Sequence, residues 1–169
     1  KKNLILIETK NVHIENKSDI KSVNGGYLVQ EKNKLTFSKS KMKCVSNKIA
    51  TNNQINDLIF AFKIAKHAKS NAVVLVKNKQ IIGIGSGQTS RINSTKIALS
   101  KISQKCIKTG FVAASDAFFP FTDSIKFLTN KNCKAIIQPK GSINDYKIIN
   151  FANLKKISLY FSNYRFFKH

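Results

Sequence analysis

Apolar residues recur at helical spacing over Gln54–Lys69 (QINDLIFAFKIAKHAK), where Ile55, Leu58, Phe62, Ala65 and Ala68 fall on one face. That pattern predicts a core-facing amphipathic helix. Thr51 and Asn52 stand before it as candidate N-caps. The period then changes. Asn71–Val76 (NAVVLV) is β-branched and predicts a strand, Lys77–Gln80 a turn, and Ile81–Ile84 a second strand. Further on, Asn93–Lys105 predicts a helix, Phe111–Ser115 a strand, Asp123–Asn130 a helix, Ala135–Gln138 a strand, Asp145–Asn153 a helix and Ile157–Phe161 a last strand. This alternation predicts an α/β fold, a three-layer α/β/α sandwich around a mixed sheet.

Upstream the pattern is weaker. Asn3–Glu8 reads as a short buried strand. Ser22–Gln30 holds a Gly-Gly turn and another short strand, and Glu31–Lys48 reads as a polar surface connection. The chain therefore divides into a strand-and-loop segment, residues 1–50, and an α/β unit, residues 51–169. Its 169 residues suit a full hydrophobic core. No apolar run approaches the ~20 residues of a membrane span, and the opening KKNLILIETK turns polar too soon for a signal peptide. The first residue is Lys1, which fits a fragment of a longer protein. Cys44, Cys106 and Cys133 are odd in number and scattered, as expected of buried thiols in a reducing, cytoplasmic setting.

A net charge of +22 raises the alternative of a basic nucleic-acid-binding α/β module. The make-up of the charge argues against it. All 30 basic residues but Arg91 and Arg165 are lysine, and they are spread along the chain. Abundant Lys, Asn and Ile fit an AT-rich coding bias, whereas phosphate and base readout favours the guanidinium fork. By the same token the two arginines mark places where a planar fork is needed. They and the two prolines, Pro120 and Pro139, all fall in irregular segments.

Four loops have the character of a binding site, which open α/β sheets carry beyond their strand ends. SNA (Ser70–Ala72) offers the Asn71 amide, or a plain turn asparagine. GIGSGQTSR (Gly83–Arg91) has alternate glycines that let a backbone approach a ligand, yet matches neither a dinucleotide fingerprint nor a P-loop. Arg91 near a helix start could help hold a phosphate; a tight turn with a surface Arg is the equal alternative. SDAFFPFTD (Ser115–Asp123) brackets three phenylalanines with Asp116 and Asp123. Apolar rings in a loop must fill core or line a pocket, and a flat ligand stacked on Phe118 or Phe119 would account for them. QPKGS (Gln138–Ser142) leaves N–H groups before a helix. The tail NYRFFKH adds Arg165 and two more phenylalanines. His13, His67 and His169 are isolated, so no metal site is expected, and the zinc deaminase signature is absent.

Taken in order, VNGG (Val23–Gly26), KSNA (Lys69–Ala72), GIGSGQTSR, SDAFFPF, IQPKGS and RFFKH resemble the C-terminal part of the AICAR transformylase/IMP cyclohydrolase family of bifunctional purine-biosynthesis enzymes. The resemblance runs from about Lys2 to the last residue. It implies the second of two cytidine-deaminase-like subdomains of a transformylase. That enzyme moves a formyl group from 10-formyltetrahydrofolate to AICAR on the route to IMP. It further implies that Asn71, Arg91, Asp123 and Arg165 contact the AICAR nucleotide. Ile92, Phe118, Ser142 and Ile143 would face the folate, and His169 corresponds to a C-terminal active-site histidine. The family forms homodimers with the site at the subunit interface, and no membrane or specific nucleic acid is implied as a partner.

The AICAR amine is a poor nucleophile, its lone pair being delocalised, so transfer needs close placement and a positioned acid or base. In the family a catalytic Lys-His pair lies upstream of every residue matched here, and Lys66-His67 is not at its position. This chain alone is therefore expected to turn over little. Thr122 stands where the family usually has Arg, and Lys140 where it often has Gly or Ser.

Overall fold

The computed structural model describes residues 5, 7, 8, 18–31 and 37–166. The chain divides into two compact units, residues 1–35 and 36–169. In the first, β1 (Ser18–Val23) and β2 (Gly26–Glu31) pair as an antiparallel hairpin. Gly25, at φ +83°, makes the turn that the Gly-Gly pair predicts. The strand expected over Asn3–Glu8 lies mostly outside the described residues. Of those described, Ile5, Ile7 and Glu8 are exposed and join no described strand.

The second unit contains, in chain order, β3 (Met42–Cys44), α1 (Asn52–Ala65), β4 (Val73–Lys77), β5 (Gln80–Gly85), α2 (Arg91–Ser100), α3 (Gln104–Thr109), β6 (Phe111–Ser115), α4 (Asp123–Asn130), β7 (Cys133–Pro139), α5 (Asp145–Leu154) and β8 (Ser158–Ser162). Six strands form one mixed sheet in the order β3-β8-β7-β6-β4-β5. β6, β7 and β8 run parallel, while β4 runs antiparallel to both β6 and β5, and β3 antiparallel to β8.

Alternation along each strand builds two cores. Val74, Val76, Val112, Ala114, Ala135 and Ile137 pack with Leu58, Ala61 and Phe62 of α1. Val73, Leu75, Ala113, Ile136 and Leu159 point the other way, against Ala98 of α2, Ile125 and Leu128 of α4 and Ile148 of α5. With α1 on one face and α2, α4 and α5 on the other, the expected three-layer α/β sandwich is present. Each large apolar side chain taken out of water contributes about 1.5–3 kcal/mol.

Local signals act as their chemistry predicts. Thr51 caps α1 in a reciprocal capping box: its Oγ1 accepts from Gln54 N at 3.3 Å and Gln54 Oε1 accepts from Thr51 N at 3.0 Å. The helix stops at Ala65, short of the expected Lys69, because His67 N and Ala68 N bond three residues back, to Ile64 O and Ala65 O. The expected helix Asn93–Lys105 is two helices. Ser103 caps the second, its hydroxyl accepting from Cys106 N at 3.3 Å. β3 arises within the stretch read as a surface connection. No helix among the described residues is long and apolar enough to cross a membrane.

Candidate functional site

β6, β7 and β8 end at Ser115, Pro139 and Ser162. The register pairs Val73 with both Ser115 and Gly85, which brings the start of β4 and the end of β5 to the same end of the sheet. Five segments far apart in the chain, 70–72, 86–90, 116–122, 140–144 and 163–166, therefore open along that end. They include all four loops singled out in the sequence and the tail.

Asp116 ties these segments together. It is fully buried, and its Oδ1 accepts from Ala72 N at 3.1 Å and from Arg91 Nη2 at 3.0 Å. Its Oδ2 accepts from Ser70 Oγ at 2.7 Å. Its backbone N donates to Ala72 O, and its carbonyl accepts from Phe166 N at 3.0 Å. One residue thus joins the 70–72 turn, α2 and the tail. Nothing in the linear sequence separates Asp116 from Asp123; only the register of β4 against β6 shows which carboxylate is enclosed.

Arg91, the first residue of α2, is held by that carboxylate and by Phe118 O, to which Nη1 donates at 3.2 Å. Its side chain is only 9% exposed, and Nε has no hydrogen-bond partner. The reading of a loose surface arginine is thereby excluded. Breaking such a buried pair from one side typically costs about 3–5 kcal/mol. Asn71 packs against the Gly-rich loop: Nδ2 donates to Gln88 O at 2.9 Å, and its carbonyl accepts from Ser94 Oγ at 2.8 Å.

Arg165 is exposed and lies over the Phe118 ring, 4.9 Å from its centroid. Gly141, at φ +112°, leaves room for it: a Cβ there would stand 2.7 Å from Arg165 Nη2. The tail is docked by Phe166, which is buried and packs at a tilt on Phe62, itself edge-on to Phe37. Asp123 opens α4 half-buried, its Oδ1 accepting from Ser124 N at 2.6 Å. Ser142 Oγ accepts from Asn144 N at 3.1 Å. Beside it Ile143 is 92% exposed, a large apolar side chain left in water at the rim. Ile92 is half-buried on α2, and His169 lies outside the described residues.

This end of the sheet thus presents the exposed Arg165 guanidinium, an aromatic face, the half-buried Asp123 carboxylate and an exposed isoleucine, with the Arg91 guanidinium enclosed behind them against Asp116. Such a set can hold an anion and a flat ring side by side. Two surface hollows, of about 220 and 190 Å³, lie at the opposite end of the sheet, beside Cys133 and beside Phe111, and touch none of these residues.

The family described as AICARFT/IMPCHase bienzyme matches residues 1–101. Among curated relatives, the bifunctional purine biosynthesis protein PurH of Ruminiclostridium cellulolyticum is 42% identical over 100% of this chain and 33% of its own length. PurH of Persephonella marina is 43% identical over 100% of this chain and 33% of its own. PurH of Buchnera aphidicola subsp. Baizongia pistaciae is 46% identical over 89% of this chain and 29% of its own. The chain spans about a third of the length of these relatives. With the family match covering more than half of its residues and the identities running along its length, the chain belongs to the AICARFT/IMPCHase bienzyme family.

Proposed function

We propose that these residues form part of an AICAR formyltransferase, within a bifunctional purine-biosynthesis enzyme that also carries an IMP cyclohydrolase elsewhere. They would be the second of its cytidine-deaminase-like subdomains, working in a homodimer. The observation that carries this reading is the gathering of five separate loops at one end of the sheet, with Arg165 in one of them and Arg91 at the helix start that follows another. In this reading Arg165 and Arg91 answer the nucleotide phosphate, Arg165 directly and Arg91 from a fixed buried position. Asn71 and Asp123 hold polar groups of the nucleotide. Phe118 stacks on the pterin of 10-formyltetrahydrofolate, and Ile92, Ser142 and Ile143 border it. His169 completes the acid–base equipment from the tail.

Formyl transfer from 10-formyltetrahydrofolate to AICAR in the full-length protein tests the reading. Arg165→Lys keeps the charge and removes the fork, and it is expected to weaken AICAR binding about tenfold. Unchanged affinity would take Arg165 out of the site. Residues 1–169 by themselves are expected to give little turnover, since no residue here matches the family's Lys-His pair; robust transfer by the isolated chain would refute that.

A further inference from the structure

Loop 116–122 is gripped by three side chains from three parts of the fold. Arg91 Nη1 donates to Phe118 O at 3.2 Å. Phe119 N donates to Gln138 Oε1 at 3.4 Å. Asn144 Nδ2 donates to Pro120 O at 3.0 Å. The first two bonds fall on the same peptide unit. Its carbonyl is held from α2 and its N–H from β7, so the plane that follows Phe118 is fixed at both ends.

Gln138 is fully buried, and its Nε2 has no partner. A buried donor left unpaired is costly, and an apolar side chain of the same length would avoid that cost. The amide is informative for that reason: the contact it does make is to the peptide of the aromatic loop. Phe119 sends its own ring into the core, fully buried, whereas Phe118 is only half-buried. The Phe118–Phe119 plane therefore fixes the backbone from which the outward ring projects.

We propose that Gln138 and Asn144 are positioning residues for the folate side of the site, presetting the Phe118 ring for stacking before any ligand arrives. This rests on the reading of Phe118 as the folate-facing ring. Neither residue touches ligand in this scheme. They act through the main chain of Phe118, Phe119 and Pro120, and pre-organisation of this kind strengthens binding by removing an ordering cost.

The test is steady-state kinetics of formyl transfer in the full-length protein, with Gln138→Met, which removes the acceptor, and Asn144→Asp, which removes the donor. Asn144 is half-buried in a loop, so its variant probes the same clamp with little risk to folding. Each variant is expected to raise KM for 10-formyltetrahydrofolate about fivefold, as loss of one hydrogen bond allows, and to leave KM for AICAR within about twofold. Folic acid affinity, measured by calorimetry without turnover, should fall in parallel. An equal rise in both KM values, or an unchanged folate KM beside an active wild type, overturns the clamp and leaves the formyltransferase reading standing. A wild type that neither transfers formyl nor binds folic acid overturns both.

Discussion

Asp57 shows how one side chain shapes a turn that its own sequence does not favour. β4 and β5 are joined by Asn78 and Lys79, both at positive φ, +51° and +56°. Asn-Gly is the usual solution to such a two-residue hairpin, and a lysine in the left-handed region costs about 1–2 kcal/mol. Asp57, buried on α1, offsets this by accepting from Asn78 N at 2.8 Å and Lys79 N at 2.7 Å. Asp57→Ala is expected to cost about 2 kcal/mol, and Lys79→Gly to gain about 0.5–1 kcal/mol, both read from urea midpoints. At Cys133 burial pushes the thiol from 9.0 up to about 12. Its folded-state pKa is raised, so its contribution to stability is present below pH 9 and is lost as pH climbs toward 12. Iodoacetamide at pH 8 should label half-buried Cys44 and Cys106 in the native protein and reach Cys133 only in denaturant. Equal labelling of all three in the native state would contradict the burial.

At the scale of elements, the seating of α2 decides where Arg91 stands. Gly83 and Gly85 on β5 lie directly beneath the helix: a Cβ on either would collide with the carbonyl of Ala98 or of Ser94. Gly83 and Gly85, which read as room for a ligand, are instead room for a helix backbone. Gly85→Ala should cost more than about 2 kcal/mol by thermal melt and should weaken the Arg91–Asp116 pair, since that pair depends on where α2 begins. Most elements were legible because they are long or strongly patterned. β6 and α4 match their expected bounds, and α1, β4, β5, β7, α5 and β8 differ by a few residues at their ends. β3 was not legible. It has only three residues, too few for its Met-Lys-Cys alternation to register as a pattern, and it exists because β8 offers an edge to Met42–Cys44. The break between α2 and α3 carried a signal that periodicity overrode, namely Ser103 as an N-cap.

For the molecule as a whole, the site was legible as a list of loops and not as an arrangement. SDAFFPF and GIGSGQTSR stand out by composition. That they meet depends on β4 running antiparallel to β6, which no local pattern reports. Asp116, Gln138 and Asn144 went unassigned for the same reason: their importance lies in partners 19 to 46 positions away, such as Phe119, Pro120 and Ser70. None of the described lysines is buried, so the positive charge they carry lies at the surface. Binding to random duplex is expected to be weak at physiological salt; submicromolar affinity there, with a steep salt slope, would shift the reading toward nucleic acid.

The placement of β8 bears on how the protein is made. It is the last strand among the described residues, yet it lies inside the sheet, between β3 and β7. During synthesis β3 has no partner, and β7 keeps a bare edge, until residues 158–162 have left the ribosome. Arg165 and Phe166 follow immediately behind. A message cut short before that point would yield a half-zipped sheet with a sticky margin and no tail over the aromatic loop, a product suited to proteolysis.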